Sequence, residues 1–383
     1  MRIKQRVINS ATGLHLGDTL GMPVECLSRE LILSGTGGTG ITGPMPGLVL
    51  PRKLPDTRDL LPGSTTDDSQ LFNATADALI QAGTYDHELQ VLHHLYALWN
   101  DVAGWGGTTK FSLFEHDKWY RARARGIIKP PNFKGNLKNA ELWAKAIPRN
   151  PAHPAPHRAW KSRGNGVGMK VPALALFLGL RNSFDNGVAL ETIMQYGRMT
   201  HADPVCSIAA YAVAWIVAGG LSYSPEGIFL QLIERVEQAE HLYRLQHVDE
   251  VRFSDALKHA LRLSGDPEAL WAFGSGDIAD ALTTIPLAIA IWYRHCEDPE
   301  PTAAVLEAIN AGGDTDTVAA MVGAMMGAGS CDPNWWPKDW VSHLHDSGQT
   351  AKKIGNDLYS IATRRTAPEG WDPDVMLRKI GYK

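Results

Sequence analysis

"NAGGDTDTVAAMVGAMMGA", residues 310–328, is the stretch whose reading decides the fold. After the Gly312–Gly313 pair come Asp314, Thr315, Asp316 and Thr317, followed by an apolar run broken only by small residues. Asp and Thr are natural residues for a helix start, where acids meet the positive end of the helix dipole. The run that follows is apolar on every face, which places its helix deep in a core. Gly323 and Gly327 lie four apart, and so do Gly13, Gly17 and Gly21 near the start of the chain. Small residues in that register let helix backbones approach closely, so a crowded helical core is expected.

Working outward, apolar residues recur at three- and four-residue spacing over 7–20, 67–81, 88–99, 204–219, 226–239, 253–263, 277–294, 303–309 and 315–327. Alternating β-branched runs are nearly absent. The expectation is an all-α fold, a single domain over residues 1–383. Residues 102–162 break the pattern: they are rich in Gly, Pro and Trp and read as an irregular insertion or lid. From residue 118 to residue 170 there are thirteen Lys or Arg against one acid, Glu141. Residues 331–383 read as a Trp- and Pro-rich extension that wraps the body.

The 383 residues are 44% apolar with a formal charge of -4, enough for a large core and unlike a protein that coats nucleic acid. Cys26, Cys206, Cys296 and Cys331 have no paired spacing and read as reduced thiols of a cytoplasmic protein. His15 and Asp18 interrupt the N-terminal apolar run, so no signal peptide is read there, and no apolar stretch is long enough for a membrane. "GTGGTG" at 35–40 matches the dinucleotide fingerprint literally, but Pro44 and Pro46 forbid the helix that should follow. It reads as a loop.

A second acidic start, "GSTTDDSQL", puts Thr65, Thr66, Asp67 and Asp68 at the head of the 67–81 helix. Capping accounts for one or two of these residues. Two helix starts that each pair carboxylates with hydroxyls would together make an oxygen-rich pocket, which must take up protons or hold cations. Hard oxygen ligands select Mg²⁺, Ca²⁺ or Mn²⁺. An EF-hand is excluded, because Ala319 and Met325 stand where its glycine and bidentate glutamate belong.

"GLHLGDTLGMPVE", "TTDDSQL", "GNGVGMKVPAL", "THADP" and "NAGGDTDTVAAMVGAMMGA" follow one another in the order and style of the ADP-ribosylglycohydrolase family. The resemblance covers residues 7–330. That family includes enzymes that remove ADP-ribose from arginine or serine side chains and from dinitrogenase reductase. The resemblance implies an all-α fold with two Mg²⁺ ions at the base of a cleft, Mn²⁺ being the alternative. Position by position it implicates Thr66, Asp67, Asp68, Asp314, Asp316 and Thr317 as metal ligands. Glu25 and Asp316 are the catalytic candidates, and Ser162, Gly164, Asn165, Gly166 and His201 the substrate contacts.

Each of these residues also has a plain reading: Glu25 as a solvent-facing acid, His201 as part of a helix start, Asn165 as a turn residue. Lys170 stands where the family usually shows arginine, an exchange read as one of packing, and Ser69 stands where threonine is common. The expected activity is Mg²⁺-dependent hydrolysis of the C1″ bond of ADP-ribose on an acceptor such as a protein arginine. Serine, nucleobase and O-acetyl acceptors stay open. The rival readings are an ADP-ribose-binding protein without turnover and a two-metal phosphoesterase on nucleic acid.

Overall fold

The structure, a computed structural model, describes residues 2–46, 60–100, 104–125, 162–244, 252–275, 278–364 and 373–382. Seventeen α-helices lie among the described residues. In chain order they are α1 (Arg2–Gly21), α2 (Arg29–Gly35), α3 (Asp67–Ala82), α4 (His87–Asn100), α5 (Gly107–Arg125), α6 (Val171–Leu180), α7 (Val188–Gly197), α8 (Pro204–Gly220) and α9 (Pro225–Arg244). Then follow α10 (Phe253–Leu263), α11 (Pro267–Gly274), α12 (Thr284–His295), α13 (Thr302–Asn310), α14 (Thr315–Gly329), α15 (Lys338–His343), α16 (Gln349–Thr363) and α17 (Pro373–Ile380). The only strand-like pairings among the described residues are two isolated bridges, Ser28 to Gly312 and Gly164 to Asp280. The all-α expectation holds.

α1 and α14 form the axis of the molecule. A Cβ on Gly13 would fall 2.2 Å from the Gly323 carbonyl oxygen, and one on Gly17 would fall 2.1 Å from that of Ala319. A Cβ on Gly327 would fall 2.2 Å from the Asn9 carbonyl oxygen. The two glycine stripes therefore face one another, and the backbones touch with no side chain between them. Ser10 Oγ adds a hydrogen bond to the Ala324 carbonyl at 2.8 Å. α14 and α8, apolar all round in sequence, are buried along nearly their whole length.

The C-terminal segment wraps this axis. Trp336 Nε1 donates to the Asn9 carbonyl at 2.8 Å. On α16, a Cβ at Gly355 would fall 2.8 Å from Cα of Ile8. Tyr382 is buried, with its hydroxyl bonded to Asp117.

Two expectations need correction. The segment read as irregular from residue 102 contains a 19-residue helix, α5. Its sequence hides this because Lys110, Glu115, His116, Asp117 and Lys118 are buried beside Phe111, Leu113, Phe114 and Tyr120, so burial is not confined to an apolar stripe. The rest of the supposed insertion, residues 126–161, lies outside the described residues. The helix read as starting at 277 begins instead at Thr284, because Asp280 terminates a turn: its carboxylate accepts from Leu282 N at 2.8 Å and its carbonyl from Thr284 Oγ1 at 2.8 Å.

Candidate active site

The site's floor is where α1, α3 and α14 meet. Asp18 is fully buried on α1, and its carboxylate caps α3 from outside. Oδ1 accepts the Thr66 hydroxyl at 2.6 Å, and Oδ2 accepts the backbone amides of Thr66 at 3.0 Å and Ser69 at 3.1 Å. With these donors satisfied, the N-terminus of α3 faces the cleft with Asp67 and Asp68. Asp68 Oδ2 accepts from Thr317 Oγ1 of α14 at 3.3 Å and lies 3.5 Å from Thr66 Oγ1. The two acidic helix starts, 249 residues apart in the chain, are thus in direct contact.

Asp316 joins two sets of acids. Oxygens of Asp18, Asp68 and Asp316 lie within 4.8 Å of one another, and so do those of Glu25, Asp314 and Asp316. Burial first, and the charge of Asp316 second, push Asp18 up to about 6 and Asp67 up to about 8. The same two causes hold Asp68 and Asp314 well above the usual carboxylate range. Oδ1 of Asp68 is buried with no hydrogen-bond partner among the described residues. A fully buried acceptor left in that state is costly unless a proton or a cation meets it. The all-oxygen donor set fits a hard divalent cation.

The glycine pair before Asp314 fastens Glu25 to this floor. Gly312 and Gly313 both have φ of 82°, a conformation other residues rarely adopt. The turn they make lets Gly313 O accept from Cys26 N at 2.7 Å and Gly313 N donate to Leu27 O at 2.8 Å. A Cβ on Gly312 would fall 2.7 Å from Arg29 N, so the two strands of chain lie in contact. Glu25, at the end of a short 3-10 turn (Met22–Val24), is left half-buried at the cleft edge.

The opposite wall is the 164–166 turn. Its amide Asn165 N donates to Ala279 O at 3.0 Å, and Ala281 N donates to Arg163 O at 2.7 Å. Arg163 itself pairs with Asp280 at 2.8 Å, so it clamps this wall and is not a free cation. Asn165 is not the turn residue of the plain reading: Nδ2 donates to Asp314 Oδ2 at 2.6 Å and aims that acid. His201 lies behind the turn, where a Cβ on Gly164 would fall 3.0 Å from its Nε2. Helix capping in "THADP" falls to Asp203, which accepts from Val205 N at 2.9 Å, and leaves His201 for the cleft. Ser162 Oγ accepts from Thr108 Oγ1 at 3.0 Å. Between floor and wall is a cleft of about 460 Å³, a size usual for small-molecule sites.

The cleft is lined by Glu25, Asp67, Asp68, Ser162, Gly164, Asn165, Gly166, His201, Asp314, Asp316 and Thr317, all candidates from sequence, while Thr66 lies just behind, bonded to Asp18. Sequence reasoning missed Asp18, Asp280 and the 106–109 start of α5. Asp18 had one available signal: an acid beside Gly17 within an apolar glycine stripe must be buried and must therefore have partners.

Residues 1–368 match the sequence profile of a family described as ADP-ribosylglycohydrolase. The chain belongs to the ADP-ribosylglycohydrolase family. It is accordingly a hydrolase of glycosidic bonds, in a family that is generally metal-dependent and acts on ADP-ribosylated substrates. An "Uncharacterized protein" of Archaeoglobus fulgidus is 24% identical over 367 residues, which is 94% of this chain and 98% of that protein. "Uncharacterized protein YegU" of Escherichia coli K12 is 25% identical over 343 residues, 86% of this chain and 90% of its own. A solved chain described as "ADP-ribosylglycohydrolase-related protein complex" shares the fold, with a TM-score of 0.59 at 22% identity over 94% of this chain and 99% of that one. Among the described residues, no helix is long and apolar enough to cross a membrane.

Proposed function

We propose that this protein is a Mg²⁺-dependent hydrolase that releases ADP-ribose from a modified protein side chain, arginine in the first place, by cleaving the C1″ bond. The observation that carries this reading is the sharing of Asp316 between two acid sets on the floor of one cleft. Asp67, Asp68, Asp314 and Asp316, with Thr66 and Thr317, would hold two Mg²⁺ ions, Mn²⁺ being the alternative. Such ions supply Lewis-acid polarisation and positioning at the ribose.

The chain's own groups do the rest. Asp18 stays behind the floor and keeps Thr66 and the head of α3 in place. Asn165 aims Asp314. Glu25 borders the floor at the cleft edge, placed to take a proton from the attacking water and return it to the leaving group. The backbone amides of Gly164 and Gly166 and the imidazole of His201 face the position of the diphosphate, with Ser162 beside them, while the Asn165 amide is held by the Ala279 carbonyl. The transition state at C1″ has oxocarbenium character, so carboxylates nearby favour it. The cleft also favours a cationic acceptor, since its one described cation, Arg163, is already paired.

Of the thirteen basic residues from 118 to 170, the four whose side chains are described give no support to a nucleic-acid track. Lys118 and Lys170 are buried, Arg121 pairs with Asp117, and Arg163 pairs with Asp280.

The test is incubation with arginine-, serine- and nucleic-acid-linked ADP-ribose, detecting what is released. Release from the arginine linkage is expected with Mg²⁺, and none in EDTA or with Asp316→Asn. Full activity in EDTA would falsify the metal reading. Tight ADP-ribose binding without release in a single turnover would replace the hydrolase by a binding protein, and binding to RNA or DNA that falls steeply with salt would move the acceptor to nucleic acid.

A further inference from the structure

Lys170 stands out among buried groups. It sits immediately before α6 with no exposed surface, and among the described residues no carboxylate pairs with it. Its ammonium lies 4.9 Å from the centre of the Tyr196 ring and donates to one side-chain oxygen, Thr200 Oγ1, at 2.8 Å. The same Thr200 oxygen is 3.0 Å from Nδ1 of His201. Burial pulls Lys170 down to about 7, and burial, with the Lys170 charge second, holds His201 at about 3.

We infer that Lys170, acting through the hydroxyl of Thr200, is a positioning residue that fixes His201 as the tautomer with its proton on Nε2, facing the cleft as a donor to an anionic phosphate oxygen. The identity of that anion as the diphosphate of ADP-ribose rests on the function proposed above. The tautomer does not.

The reasoning is a count of hydrogens. An ammonium has only donors, a hydroxyl has one hydrogen and two lone pairs, and a neutral imidazole has one donor and one acceptor. Lys170 occupies one lone pair of Thr200 Oγ1 and bars the hydroxyl hydrogen from its side, and the only other hydrogen-bond partner of that buried oxygen among the described residues is Nδ1 of His201. An Nδ1–H aimed at the second lone pair would leave the hydroxyl hydrogen without an acceptor, so the hydrogen points at Nδ1 instead. Nδ1 then accepts, and the ring proton must sit on Nε2. That nitrogen looks toward the 164–166 turn, close to where a Cβ on Gly164 would lie. Without the ammonium, the reverse arrangement opens: Nδ1–H donates to Oγ1, and Nε2 becomes an acceptor that repels a phosphate oxygen.

The experiment uses full-length protein labelled with ¹⁵N-histidine, free of ligand and metal, at pH 6, where Lys170 is charged and His201 neutral. Long-range ¹H–¹⁵N correlation reads which ring nitrogen carries the proton, and His201→Gln identifies the signals. Wild type and Lys170→Arg are expected to show the Nε2–H form. Lys170→Met and the near-isosteric Thr200→Val are expected to populate Nδ1–H, and to bind ADP-ribose about ten- to a hundredfold more weakly in calorimetry, the worth of one hydrogen bond to a charged group. An Nδ1–H ring in wild type overturns the proposal. So does an unchanged tautomer in Thr200→Val, which keeps the test decisive if Lys170→Met fails to fold. If wild type shows Nε2–H that depends on Thr200 yet does not bind ADP-ribose, the positioning role stands and the functional reading falls.

Discussion

Glu25 borders the metal-type floor without being sealed into it, and that separation can be measured. Glu25→Gln keeps the shape and removes the proton acceptor. Its kcat is expected to fall about 10²–10⁴-fold, the usual worth of a general base, while the concentration of Mg²⁺ giving half activity moves much less. A parallel loss in both would make Glu25 a ligand instead. Asp18 belongs to the same scale with a different signature. Asp18→Asn turns an amide toward the donors Thr66 and Ser69, so unfolding in urea should show a loss of about 1–3 kcal/mol. Asp68, Asp314 and Asp316 were legible in the sequence because each lies in a short run of polar residues with a recognisable neighbour, whereas Glu25, between Val24 and Cys26, was reached only through the family resemblance. Asp18 was not, since its donors are 48 and 51 residues away. His201 was legible as a residue, but its link through Thr200 to Lys170 exists only in three dimensions.

Helices position these residues, and the glycine seam between α1 and α14 is the most demanding contact. Gly17→Ala would drive a Cβ to 2.1 Å from a backbone oxygen, which no rotamer relieves. The helices must part, at a cost of about 1–3 kcal/mol or more, and the rise in Tm on adding Mg²⁺ should shrink with it. Gly329→Ala, at the end of α14 with nothing within 4 Å, is the control and should be neutral or slightly stabilising. The seam's existence could be read from four-residue glycine spacing, yet its partners could not, because a stripe of small residues does not say which other stripe it meets. Long apolar helices such as α8 and α14 were legible for the opposite reason: they need no partner to declare themselves. α5 escaped because charged and apolar residues are buried together along it, which blurs the apolar period, and the start of α12 was misplaced because residues 278–283 are recruited to hold the 164–166 turn.

At the scale of the whole molecule, protons and cations compete for one floor. Asp18 and Asp67 keep their protons up to about 6 and about 8, against 3.8 for an ordinary aspartate. A carboxyl raised in this way contributes stability that is complete below the unfolded value and lost as pH climbs through the folded one. A divalent ion replaces those protons, so its stabilising effect must grow over the same interval. The gain in Tm from Mg²⁺ is expected to be larger at pH 8 than at pH 6, and equal gains would mean that the ion binds elsewhere. Composition and apolar spacing had already limited the possibilities to a helical protein with a large core, but they said nothing of this competition, which arises only when acids far apart in the chain are brought together. The seam between α1 and α14 has a last consequence for how the molecule is made. Ser10 and Ala324 are 314 residues apart, so α1 leaves the ribosome long before the helix that covers it exists. Until synthesis passes that point, the first helix offers a bare strip of backbone to whatever is nearby, and a prematurely terminated chain would be a client for chaperones rather than a weak enzyme.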